Sequence, residues 1–153
     1  MNILYDPTLD GPLAQHDKGQ VLAHLTTLLP DLTLLHREED LHPFECDGLS
    51  AYRVMPMLVA LPERVEQVAA LLRECHALGV PVVTRGAGTG LSGGALPLAQ
   101  GVLLVMSRMA RILEIDPDAR TARLQPGVRN LAISEAAAPF GLYYAPDPSS
   151  QIA

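Results

Sequence analysis

The residues with the most chemistry in them run from Arg85 to Ala95, Arg-Gly-Ala-Gly-Thr-Gly-Leu-Ser-Gly-Gly-Ala, directly after the apolar stretch Pro81-Val82-Val83-Thr84. Gly86, Gly88, Gly90, Gly93 and Gly94 lie within ten residues, with a cation before them and hydroxyls at Thr89 and Ser92. Glycine accepts positive φ and lets a backbone approach a ligand closely. Consecutive N–H groups in such a bend make a concave anion-binding nest. The spacing therefore reads as a cradle for a phosphate or pyrophosphate, against the plainer reading of a tight connection between strands.

Two common phosphate loops are poor matches. A Walker A loop needs Lys and then Ser or Thr after its last glycine, and Gly94 is followed by Ala95 and Leu96. Gly88-Thr89-Gly90-Leu91-Ser92-Gly93 satisfies G-x-G-x-x-G, and Glu114 falls about 20 residues on, where a ribose-binding acid would stand. A dinucleotide fingerprint must open a helix, however. Here Pro97 intervenes and a new apolar run starts at Gly101.

The elements that must hold this loop are legible on both sides of it. Asp17 and Gln20 form a capping-box pattern for a lead-in helix whose face is Val21, Leu22, Leu25, Leu28 and Leu29, stopped by Pro30. Residues 36–50 are polar, with turn chemistry at Asp47-Gly48, and read as loop. Met57 to Leu61 is a strand. Pro62 then precedes a helix with Val65, Val68, Leu72 and Cys75 as its core stripe and Gly79 just past its end. Val80 to Thr84 closes a β-α-β unit, and Gly101 to Ser107 is a further strand after the glycine loop. Residues 112–125 form a hairpin around Asp116-Pro117-Asp118-Ala119-Arg120. Its alternation pairs Asp116 with Thr121, Ile115 with Ala122, Glu114 with Arg123, and Leu113 with Leu124. Asn130 to Ala138 is a short helix stopped by Pro139, and Tyr143 to Ser150 is a Pro- and Ser-rich loop.

Arg85-Gly86-Ala87-Gly88-Thr89 through Gly93-Gly94 resembles the pyrophosphate loop of the FAD-binding domain shared by p-cresol methylhydroxylase and vanillyl-alcohol oxidase. Gln125-Pro126-Gly127-Val128 followed by Leu131 is similar to that family's next signature, and Pro146-Asp147-Pro148-Ser149-Ser150 to its third cofactor-contacting segment. Within the family, Glu45-Cys46-Asp47-Gly48-Leu49-Ser50-Ala51-Tyr52-Arg53 most resembles the FAD-linked subunits of glycolate oxidases. The resemblance covers nearly the whole chain in order. It implies an α+β fold, the first lobe of a p-cresol methylhydroxylase type FAD-binding domain: a small mixed sheet with flanking helices. Residues 1–54 would be a helical and loop lead-in, and 55–153 an incomplete FAD-binding domain whose second lobe and substrate cap are absent.

By the same resemblance Arg85, Gly86, Ala87, Gly88, Thr89, Gly90, Leu91, Ser92 and Gly93 would hold the FAD pyrophosphate. Pro126, Gly127, Val128, Pro146, Asp147, Pro148, Ser149 and Ser150 would line the rest of the cofactor path. Relatives that attach flavin through this loop place a His there. Residues 85–95 contain neither His nor Cys, so the FAD is expected to be non-covalent. The implied function is the FAD-binding portion of a 2-hydroxy-acid dehydrogenase or oxidase acting on glycolate or D-lactate. Its electrons would pass to an iron–sulfur subunit and a second FAD-domain subunit. The alternative is a non-catalytic scaffold subunit of the same complex. No catalytic residue is expected within this chain, and a fragment of a longer protein is expected to be inactive alone.

Composition narrows the field further. The 153 residues carry a formal charge of −6, which argues against a nucleic-acid backbone as partner. Cys46 and Cys75 lack metal or disulfide spacing and suggest a reducing compartment. His16, His24, His36, His42 and His76 show no ligand spacing, so no metal site is expected. The longest apolar run, Val102 to Met106, is too short to span a bilayer. A cytoplasmic protein is expected, with membrane association only through partner subunits. Arg129 is open to either phosphate or solvent, and Tyr143 and Tyr144 read as packing residues.

Overall fold

The computed structural model describes residues 15–146 and 151. The described residues form two sheets of different kinds. The larger is four-stranded, in the order β1 (Thr33–Leu35), β2 (Leu58–Leu61), β4 (Val102–Val105), β3 (Val82–Arg85). β1 runs antiparallel to β2, whereas β2, β4 and β3 are mutually parallel. Every residue of β2 and β4 is buried. That burial explains why their sequences are unbroken apolar runs instead of alternating ones, since a parallel strand covered on both faces has no wet side.

The two faces are covered by different material. On one lie α1 (Lys18–Leu28) and α3 (Val65–Leu78), whose Val21, Leu25, Leu71 and Cys75 pack on Leu58, Ala60, Val102 and Leu104. On the other, Leu41 from the short α2 (Glu38–Leu41) and half-buried Phe44 cover Val59, Leu61, Leu103 and Val105. α1 starts as its sequence specifies, with Asp17 accepting from the Gln20 amide at 2.8 Å. α3 ends at Gly79, which takes the left-handed conformation at φ 69°.

Several expectations need correction. Residues 36–50 are not simply loop, because α2 and a 3-10 turn over His42–Phe44 fall within them and provide the second core. β1 carried no separate signal, yet it joins the lead-in to the sheet edge through three register pairs. The core stripe of α3 is as expected at Cys75 and at partly buried Val68, but not at Val65 and Leu72. Val65 and Leu72 are 64% and 43% exposed, while Leu71 and Cys75 are fully buried beside Gln67. The reason is polar. Gln67 turns inward because its amide accepts from the Glu63 N–H at 2.8 Å and donates to the Asp31 carbonyl at 2.9 Å. That anchor rotates the helix so that Leu71 follows Gln67 one turn on.

The second sheet is the hairpin of β5 (Ile112–Asp116) and β6 (Thr121–Leu124). Its register agrees with expectation at Asp116–Thr121, Ile115–Ala122 and Glu114–Arg123. Leu113 does not face Leu124, however. A bulge between Ile112 and Glu114 sets Ile112 there instead and leaves Leu113 47% exposed. Past the hairpin, α4 (Asn130–Ala137) continues into a 3-10 turn over Ala138–Phe140 and buries Ile133 and Ala137. Tyr143 is 76% exposed and is no core residue.

Candidate functional site

The site develops where the parallel strands end. β3 delivers Arg85 and then the glycine loop, while β4 delivers a 3-10 turn over Met106–Arg108. Ligand sites of open α/β sheets collect at this carboxyl edge because neighbouring connections diverge there. Between β3 and β4 the chain forms no helix, only bends and turns, with a new strand at Val102. The dinucleotide alternative required a helix at this place, and none is present.

The loop after the hairpin approaches from the other side. Buried Gln125 fixes it: its side-chain oxygen accepts from the Arg111 amide at 2.9 Å, and its own amide donates to the Arg111 carbonyl at 2.9 Å. Gly127 then donates to the Met109 carbonyl at 2.8 Å. A Cβ at Gly127 would collide with the carbonyl oxygens of Met106 and Met109, so only glycine lets the two backbones lie this close.

These contacts create a cleft of about 450 Å³ lined by Gly86, Ala87, Ser107, Ala110, Ile112, Pro126, Gly127, Val128, Arg129 and Ala132. Two segments separated by about forty residues, each singled out from sequence alone, thus form opposite walls. Gly86 faces open space: apart from its chain neighbours, no described residue comes within 4 Å of where a Cβ would stand. That open side, beside a partly apolar cavity with Arg129 on its rim, suits a flat ring system joined to an anionic group. Among the described residues the site carries no group of three His, Cys, Asp or Glu able to hold a metal.

The other expected residues are distributed around it. Thr89, Gly90, Leu91 and Ser92 are exposed, farther along the loop than the cleft wall, and Gly88 and Gly93 both take φ 74°. The Arg85 side chain is turned to protein, donating to the Cys46 carbonyl at 2.6 Å, with its guanidinium 5.9 Å from the centre of the Phe44 ring. Pro146 lies on a separate groove of about 330 Å³ between the hairpin and α4, shared with Tyr143 and Tyr144. Asp147, Pro148, Ser149 and Ser150 lie outside the described residues.

Sequence reasoning missed Ser107, Ala110, Ile112 and Ala132 as lining residues, whereas Arg129, left open between phosphate and solvent, lines the cleft with them. Ser107 had a usable signal, since it follows a buried parallel strand at the end where sites gather. Ala110, Ile112 and Ala132 had none, because small and aliphatic residues carry no chemistry to notice. The histidines make other contacts: His16 meets the Gly79 carbonyl at 3.1 Å, and His24 meets Glu74 at 3.0 Å, tying α1 to α3.

The chain is similar to known proteins in both sequence and structure. Residues 56–153 match the family described as FAD binding domain. The chain is 64% identical over its whole length to glycolate oxidase subunit GlcD of Escherichia coli strain K12, of which it covers 31%. It is 38% identical over 96 residues to a D-lactate dehydrogenase of Archaeoglobus fulgidus, covering 63% of this chain and 21% of that one. In structure it superposes on p-cresol methylhydroxylase with substrate bound at TM-score 0.70 and 25% identity, over 88% of this chain and 27% of that one. An alkyldihydroxyacetonephosphate synthase gives TM-score 0.74 at 22% identity, over 92% of this chain and 28% of that one, a likeness of fold. The chain spans about a third of the length of the curated relatives with which it aligns fully.

Proposed function

This chain belongs to the FAD binding domain family, and from that premise we propose that it forms the part of a flavin-dependent 2-hydroxy-acid oxidoreductase that grips FAD non-covalently. The observation that carries the reading is the cleft in which Gly86 and Ala87 face Pro126, Gly127 and Val128. Glycolate and D-lactate are the proposed substrates, since both relatives' names concern small 2-hydroxy acids.

In this reading the backbone amides of Gly86 to Gly93 hold the diphosphate, with the hydroxyls of Thr89 and Ser92 as further donors. Pro126 to Val128 and Ser107 flank the cofactor, and Arg129 offers its charge at the rim. Pro146, Asp147, Pro148, Ser149 and Ser150 continue the same path. Arg85 supports the loop from behind. When bound, FAD supplies the redox chemistry, accepting two electrons as the hydroxy acid loses two protons and becomes a 2-oxo acid. This chain's share is to bind, orient and shield. The groups that orient the substrate would come from other parts of the full-length protein.

Electron transfer to iron–sulfur and second FAD-domain subunits belongs to the proposal, as does a cytoplasmic location. No helix among the described residues is long and apolar enough to cross a membrane.

The test is an FAD titration followed by flavin fluorescence, using the protein as its gene encodes it, then anaerobic addition of glycolate or D-lactate. Saturable quenching and substrate-dependent bleaching of the flavin's visible band are expected, with all colour released on denaturation. Absence of quenching would sink the FAD assignment and favour the scaffold alternative. Colour retained on the denatured polypeptide would refute non-covalent binding.

A further inference from the structure

The glycine loop is shaped from outside. We propose that Asp47, Arg85 and Gly48 form a clamp that presets this loop, making residues 44–49 a positioning element of the cofactor site. These residues lie outside the 56–153 segment matched to the FAD binding domain family. The inference rests on the FAD reading above for its ligand, but the clamp itself consists of contacts between protein groups.

Three contacts define it. At the loop's start, Arg85 Nη1 donates to the Cys46 carbonyl at 2.6 Å, and the guanidinium lies over Phe44. At its end, the Asp47 side chain is 6% exposed and accepts from the Leu49 amide at 2.9 Å and the Ala95 amide at 3.3 Å. In the middle, Gly48 lies directly under the loop, where a Cβ would stand 2.6 Å from the Thr89 carbonyl oxygen and 2.7 Å from that of Gly90. The loop's own glycines complement the arrangement. Gly88 has φ 74°, and a side chain there would occupy the space taken by the Arg85 guanidinium.

The physical need is plain. Fixing the backbone of one residue costs about 1–2 kcal/mol, and glycine loses more freedom than any other residue. A loop with five glycines would forfeit much of its binding energy if the ligand had to order it. Anchors at Arg85, at Thr89–Gly90 and at Ala95 order it beforehand. Asp47 and Arg85 therefore act through the loop, and neither has to touch the cofactor.

The test compares Asp47→Ala and Asp47→Asn with Leu71→Ala, which empties a core site on the opposite face of the sheet. Two readouts are taken on the protein as its gene encodes it: FAD affinity, and the rate of tryptic cleavage after Arg85 without FAD, identified by mass spectrometry. Asp47→Ala is expected to weaken FAD by about tenfold or more and to speed that cleavage, with Asp47→Asn in between because it keeps one acceptor oxygen. Leu71→Ala should lower the unfolding midpoint yet leave both readouts near wild type. Unchanged affinity and cleavage in Asp47→Ala, or equal losses in Leu71→Ala, would overturn the clamp. If the wild type binds no FAD, the cofactor reading fails and cleavage alone judges the clamp: faster cut in Asp47→Ala sustains it, an equal rate refutes it.

Discussion

Replacing Gly86 with alanine separates binding from folding more cleanly than any other single change in this site. Apart from its chain neighbours, no described residue comes within 4 Å of the position its Cβ would take, and its φ is not in the left-handed region. The substitution adds no clash with the described residues. Stability should stay within about 0.5 kcal/mol of wild type or rise by up to about 1 kcal/mol, because alanine restricts the unfolded chain more than glycine does. The added methyl group projects at the cleft wall, where the diphosphate or ribityl part of FAD is proposed to lie. Forcing an extra methyl into a fitted contact costs about 1–3 kcal/mol, which is about 5- to 150-fold in affinity. Gly127→Ala gives the contrasting case. Its Cβ would meet the Met106 and Met109 carbonyls, so stability itself should fall by about 1–3 kcal/mol. For a chain of this size that lowers Tm by about 3–10 °C. Circular dichroism melts without FAD and flavin fluorescence titrations give both quantities. Wild-type FAD affinity in Gly86→Ala, and again in Gly86→Val, would show that this wall does not face the cofactor.

Three further outcomes are expected. Leu71→Ala should cost about 2–5 kcal/mol and Val65→Ala less than about 0.5 kcal/mol in urea unfolding, because Leu71 is fully buried and Val65 is 64% exposed; the reverse order would restore the stripe expected from spacing alone. Burial, reinforced by neighbouring Glu74, pushes the Cys75 thiol up from 9.0 to about 11. Its folded pKa therefore lies above the unfolded one, so its contribution is complete below pH 9.0 and is lost as pH rises to about 11. That loss is on the order of 2 kcal/mol, and it should vanish from the pH–stability curve of Cys75→Val; mild alkylation near neutral pH should accordingly label half-buried Cys46 and spare Cys75. Arg120 holds φ 54° in the hairpin turn, so Arg120→Gly should stabilise the chain by up to about 1 kcal/mol in the same urea assay, and a loss of stability would contradict the strain assigned to that residue.

Local chemistry was enough to locate the glycine loop and most of the scaffold around it. A cluster of five glycines after an apolar run has few uses, and Pro97 with the apolar run from Gly101 argues against a helix there. Hairpin, caps and buried strands followed from turn residues and period, because those are properties of neighbours in the chain. What remained hidden depends on distant neighbours. The rotation of α3 is set by Gln67 reaching Asp31, a residue 36 positions away. Arg85 precedes the cradle in sequence and reads as a ligand cation, yet the Cys46 carbonyl, 39 positions earlier, claims its guanidinium. The meeting of Gly86 with Pro126 to Val128 required the parallel order of β3 and β4 and the hydrogen bond from Gly127 to Met109. Residue type fixes what a group is able to do. Which group it meets is decided by packing, since a side chain's partner is whichever donor, acceptor or surface the folded backbone brings within a few ångströms.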